Sequence, residues 1–148
     1  MAWTIDMTGQ VSLITGGATG IGAATARSLA ETGSNIAVNY YPSDRDRAAA
    51  KELVAELEAM GVRAKGYEAD ITKEDQVNAM VEKILADFGQ IDNLFNNAGI
   101  IIKAKMHEMS YSDFRKVVSV ALDGAFLVTK AVLPNMLSRK CGDIVFMG

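Results

Sequence analysis

Short apolar runs alternate along this chain with longer stretches of helical period. Val11-Ser12-Leu13-Ile14-Thr15 reads as a first strand, and a glycine turn leads from it into a helix from about Gly20 to Thr32. Gly33 follows, where a helix end favours a residue free to take positive φ. Asn35 to Tyr40 is the second strand, and Ala50, Leu53, Val54 and Leu57 place one apolar stripe on a helix that stops at Gly61. A third strand covers roughly Arg63 to Ala69. Thr72 with Asp75 then gives a capping-box-like start to a helix whose buried face is Val77, Val81, Ile84 and Phe88, ending at Gly89. Strand four is Asp92 to Asn96. Ser110 and Asp113 repeat the capping signature before a long apolar helix with the stripe Phe114, Val117, Val118, Ala121, Ala125, Val128 and Val132. Asp143 to Met147 reads as a fifth strand. This alternation predicts an α/β chain built on a mostly parallel sheet.

Composition narrows the classes. The 148 residues are 49% apolar and 22% charged, which is globular and argues against disorder. A net charge of −3 provides no basic field for nucleic acid. The single cysteine, Cys141, excludes an internal disulfide framework and a cysteine-based zinc site, and fits a reducing compartment. Residues 7–26 are uncharged, but their five glycines make a poor match to lipid. The expectation is one soluble, cytoplasmic domain over 1–148, with no bound metal, nucleic acid or membrane. The chain stops at the carboxyl end of a strand with no helix to cover it, so we expect an incomplete domain.

The chemistry concentrates in the first turn. Gly16-Gly17-Ala18-Thr19-Gly20-Ile21-Gly22 lies between a predicted strand and a predicted helix. Glycines there permit tight backbone angles and let a pyrophosphate approach, while the helix N-terminus faces the anion. No lysine follows as a Walker loop requires, and the G-x-x-x-G-x-G spacing differs from G-x-G-x-x-G.

Thr15-Gly16-Gly17-Ala18-Thr19-Gly20-Ile21-Gly22 resembles the TGxxxGIG cofactor motif of the short-chain dehydrogenase/reductase family. Asn96-Asn97-Ala98-Gly99 matches that family's NNAG motif, and Glu68-Ala69-Asp70-Ile71 resembles its segment after strand three. Gly124-Ala125-Phe126 with Ala131 to Met136 matches its long fourth helix. The likeness covers nearly the whole chain, with a flavour of 3-oxoacyl-acyl-carrier-protein reductases and glucose dehydrogenases. It implies a Rossmann-like, doubly wound sheet of order 3-2-1-4-5, here truncated after strand five. It further implies an NAD(P)(H)-dependent interconversion of an alcohol and a carbonyl. Asp70 would then meet the adenine amino group with Ile71 packing beside it, and Asn97, Ala98 and Gly99 would lie along the ribose and nicotinamide. Read without the family, Asp70 equally suits a helix-start carboxylate near Thr72, and the asparagines suit ties across the turn.

Cofactor choice should be legible after strand two, where an acid accepts from the ribose 2′-hydroxyl and repels a 2′-phosphate. Tyr40 and Tyr41 stand there instead, and Ser43 and Arg45 are available to an anion, which favours NADP(H) over NAD(H). Arg45 also suits a solvated helix start. In the family a tyrosine with a lysine four residues later acts as general acid or base, aided by a serine past strand five. None of the three has a counterpart here, so no catalytic residue is assigned and the polypeptide is expected to be inactive as given. Tyr111 with Arg115 and Tyr41 with Arg45 share the spacing but read as surface pairs. His107 and Cys141 carry no visible partner.

Val120-Ala121-Leu122-Asp123-Gly124 also departs from the family's V-N-L-x-G, whose asparagine supports a water in the proton relay. The alternative reading is a non-catalytic nucleotide-binding module that docks on a complete relative. The fourth helix is apolar all round, so a homo-oligomer through it, or aggregation, is expected.

Overall fold

Leu13, Ile14, Ile36, Val38 and Leu94 are fully buried, and the strands that carry them form one five-stranded parallel sheet. The computed structural model describes residues 4–148; residues 1–3 of the expected domain lie outside the described residues. The elements are β1 (Val11–Ile14), α1 (Gly20–Glu31), β2 (Asn35–Tyr40), α2 (Asp44–Ala59), β3 (Ala64–Glu68), α3 (Glu74–Phe88) and β4 (Asn93–Asn96). After a loop come α4 (Tyr111–Val118), a π-helical stretch (Ser119–Gly124), α5 (Ala125–Arg139) and β5 (Asp143–Phe146). The sheet order is β3-β2-β1-β4-β5, the Rossmann-like order that the resemblance implied.

Successive residues of a strand face opposite sides, so the sheet builds two cores. Ile14, Ile36 and Val38 pack with Ala26, Leu53 and Leu57 of α1 and α2. On the other side Leu13 and Leu94 pack with Val77 and Ile84 of α3 and with Val128 and Val132 of α5. Gly33 and Gly89 take the positive φ expected of them, +90° and +85°.

Three sequence expectations are corrected. The Thr72–Asp75 cap does not form: α3 starts after Lys73 with no side-chain cap, because Thr72 gives both its N–H and its hydroxyl to Asp70 Oδ1, at 2.9 and 2.7 Å. The Ser110 cap does form, its hydroxyl accepting from the Asp113 N–H at 3.0 Å. Phe88 is only partly buried, and Met80 joins the α3 face instead.

The third correction concerns the long helix. Its predicted stripe assumed one uninterrupted period, but the π-helical stretch uses extra residues per turn and shifts the phase. The buried residues are therefore Gly124, Val128, Val132 and Met136, while Phe114 and Ala121 are exposed. Outward on the same run lie Leu122 (66% exposed), Phe126 (62%) and Leu137 (66%). The run Tyr111–Arg139 is long and apolar enough to cross a membrane by length and composition alone, although its inner face packs in the second core. The edge strand β5 keeps only Ile144 against the core and exposes Val145 and Phe146.

Candidate functional site

A cleft of about 1060 Å³ opens at the carboxyl ends of the strands. Its floor is the turn after β1. Gly16 takes φ +58°, and a Cβ on it would meet Ala98 Cα at 2.9 Å, so the turn lies directly against the loop after β4. Gly22 is packed still more tightly: a Cβ there would meet the Gly16 carbonyl oxygen, and Asn97 Nδ2 at 2.7 Å. The turn leads into α1 without a side-chain cap at Thr19. The first-turn N–H groups, which no helix satisfies internally, begin at Gly20 and Ile21, both in the cleft wall.

Side chains tie this backbone in place. Thr15 Oγ1 accepts from the N–H groups of both Asn97 and Ala98 at 3.0 Å, and Asn97 Nδ2 donates to the carbonyls of Thr15 and Gly16 at 3.1 and 3.2 Å. Asn39, 2% exposed, accepts from the Gly16 N–H through Oδ1 at 3.3 Å and donates through Nδ2 to the Tyr67 and Ala69 carbonyls. One asparagine thus links the glycine turn to β2 and β3. Asn96 turns the other way, donating to Thr129 Oγ1 at 3.0 Å, and its buried Oδ1 has no partner among the described residues.

Most of the residues expected at the cofactor site do line the cleft. Gly16, Ala18, Thr19, Gly20 and Ile21 form one wall, and Asn97, Ala98 and Gly99 the opposite one. Tyr40, Asp70 and Ile71 close the β2–β3 end. Asp70 Oδ1 accepts from the Thr72 N–H and hydroxyl, a tie in the loop before α3 rather than a helix cap, while Oδ2 has no bond to another described residue. Gly17 and Gly22 are buried beneath the cleft, where they allow close packing.

Ser43 is a correction. It caps α2, its hydroxyl accepting from the Asp46 N–H at 3.1 Å, and it does not line the cleft. Arg45, exposed on the same turn, does not line it either. Their places are taken by Tyr41, set aside in the sequence as a surface residue, and by Asp46. Arg47 is turned away, bonded to Glu68 at 2.7 Å and Asp44 at 2.6 Å, with the Glu68 hydrogen bond chiefly raising its pKa.

The far end holds Ile100 and Ile101, from a loop that reads in the sequence as an apolar entrance, together with Lys116, Val120 and Met147. Lys116 pairs with Asp113 at 3.3 Å, and the Ser110 hydroxyl and then Lys116 hold the Asp113 carboxyl below its ordinary value. Tyr111 stacks on Phe114, and Arg115 faces Asp123 at 3.6 Å, so that pair is indeed a surface one. Among the described residues no cluster of His, Cys, Asp and Glu could hold a metal ion. The signal that could have found Asn39 is an asparagine late in an otherwise apolar strand, next to its carboxyl end. For Asp46 it is position, three residues past a helix cap.

The family model described as short chain dehydrogenase matches residues 10–148. A 3-oxoacyl-[acyl-carrier-protein] reductase of a Synechocystis strain is 41% identical over 139 residues, covering 94% of this chain and 55% of the relative. An NAD+-bound xylitol dehydrogenase superposes with a TM-score of 0.86 at 39% identity, over 93% of this chain and 52% of that one. A blue fluorescent protein from a metagenomic library, in complex with NADPH, gives 0.81 at 36% identity, over 87% of this chain and 52% of that one. The chain spans about half the length of the proteins it matches.

Proposed function

The chain belongs to the short chain dehydrogenase family, and from that premise we propose that its cleft binds a nicotinamide dinucleotide for the interconversion of an alcohol and a carbonyl. The substrate class we favour is 3-oxoacyl-like, on the strength of the reductase relative. One observation carries the cofactor reading. A single cleft joins the uncapped α1 N-terminus to Asp70 and Ile71 on one side and to Asn97, Ala98 and Gly99 on the other.

When bound, the cofactor supplies the hydride chemistry. The residues present fit it, because the turn keeps a Cβ out of the space where Gly16 meets Ala98 and leaves the α1 N–H groups free for a pyrophosphate. Asp70 Oδ2 is the acceptor available to an adenine amino group, with Ile71 as an apolar wall. Thr15, Asn39 and Asn97 hold the loops so that these groups are in place before a ligand arrives.

None of the four tyrosines in the 148 residues is followed by a lysine four positions on. The polypeptide is therefore expected to bind dinucleotide without turning over an alcohol or carbonyl. Fluorescence titration with NADH and NADPH, followed by an assay of hydride transfer by the pure protein, tests both parts. Failure to bind either dinucleotide sinks the first, and observed turnover sinks the second.

A second reading draws on the outer face of the long helix, where Leu122, Phe126 and Leu137 stand exposed. On that reading the chain is a nucleotide-binding module that pairs with a second copy through α5. A monomeric, cooperatively unfolding protein in light scattering and thermal melts argues against it.

A further inference from the structure

Resting on the dinucleotide reading above, we propose that Asp46 sets the cofactor choice, so that the cleft takes NAD(H) in preference to NADP(H). The inference replaces the sequence preference for NADP(H), which relied on Ser43 and Arg45 and on the absence of an acid near the end of β2. An acid is present after all, supplied by the first turn of α2.

Its place follows from two hydrogen bonds and from the lining of the cleft. The Ser43 hydroxyl holds the Asp46 N–H at 3.1 Å, which fixes the turn that carries the carboxylate. The Ala69 N–H donates to the Tyr40 carbonyl at 3.0 Å, so the Tyr40–Asp46 corner adjoins the Asp70 corner. Asp46 and Asp70 both line the cleft there, and two carboxylates share that end. In parallel sheets of this kind the adenosine ribose lies beyond the end of the second strand, where a carboxylate accepts from its 2′-hydroxyl.

Among the described residues no cation pairs with either carboxylate. Arg47 is occupied by Glu68 and Asp44, and Arg45 does not line the cleft. Lys116, the lysine that does, sits on α4 and pairs with Asp113. Asp46 itself forms no ion pair with another described residue. The α2 N-terminus gives a phosphate little help, because Asp44 and Asp46 already occupy its first turn and Ser43 takes the Asp46 N–H. A 2′-phosphate would bring close to two negative charges into this corner, whereas a 2′-hydroxyl brings a donor.

The test is titration of the full chain with NADH and with NADPH at low salt, for the wild type and for D46N, D46S and R45A, with circular dichroism confirming that each is folded. NADH is expected to bind roughly tenfold or more tightly than NADPH to the wild type, and both Asp46 variants to narrow that gap to about threefold by tightening NADPH. R45A is expected to leave the ratio unchanged. NADPH binding as tightly as NADH to the wild type overturns the assignment. So does a ratio that survives both Asp46 substitutions, or a loss of NADPH affinity in R45A, which places the phosphate on Arg45. A protein that binds neither dinucleotide overturns instead the reading of the cleft on which the assignment rests.

Discussion

The two ends of the sheet use polar residues in opposite ways. At the amino ends they are spent on each other. Ser12 and Ser34 share a hydroxyl bond at 2.8 Å, and Asn93 Nδ2 donates to Ser12 Oγ and to Gln10 Oε1. Asp92, 7% exposed, accepts from the Val11 N–H and Gln90 Nε2 through Oδ2, and from Arg139 at 2.7 Å through Oδ1. Arg139 also donates to the Ile91 carbonyl at 2.7 Å, which locks the end of α5 to the start of β4. At the carboxyl ends, the side chains of Thr15, Asn39 and Asn97 bind only backbone, while Asp70 Oδ2, the Asp46 carboxylate and the α1 N-terminus have no side-chain partner among the described residues. Buried polar groups need partners, so groups left without a protein partner beside an open cleft mark where a ligand supplies one.

That contrast can be broken by substitution, since one end should govern affinity and the other stability. Gly22→Ala has the largest expected effect: its Cβ meets backbone of Gly16 and Gly17 that cannot yield without moving the turn. Dinucleotide affinity should fall by about a hundredfold, with stability lowered by roughly 1–3 kcal/mol, read by titration and denaturant melts. Arg139→Ala should cost about 2–4 kcal/mol of stability, because Asp92 keeps a nearly buried charge without its cation, yet leave affinity unchanged. The reverse result, affinity lost and stability kept, would erase the distinction between the two ends.

The smallest effect belongs to neither end. On the edge strand β3, the Lys65 ammonium and then the Tyr67 hydroxyl, at 2.7 and 2.6 Å, hold the Asp87 carboxyl below its ordinary value of 3.8. The unfolded chain then takes up the proton first as pH falls. The stability this provides is complete above pH 3.8 and is lost as pH falls below it towards the folded value. Burial, and then the Asp87 carboxylate, raise the Tyr67 pKa above 10.0, so its contribution is complete below that pH and is lost as pH rises beyond it. Asp87→Asn should flatten the acid limb of the melting curve and Tyr67→Phe the alkaline limb, with cofactor affinity untouched by either.

The sequence by itself determined the order of strands and helices, the glycine turn, the caps at Gly33 and Ser110, and the segments that bring Asp70 and Asn97 to the cleft. These are local: period, backbone freedom and a short polar side chain act within a few residues. Tertiary structure alone decided which residues of the 40–46 corner look into the cleft. Helix phase and the Ser43 cap present Asp46 there and leave Ser43 and Arg45 outside, which a list of neighbours cannot reveal. It also decided the pairing of Arg139 with Asp92, set by how α5 docks on β4, and the bridge of Asn39 from β2 to the glycine turn. The buried face of the long helix was misread for the same reason. A π-helical stretch shifts the phase, and only packing against α3 and β4 selects which side of the helix is inner.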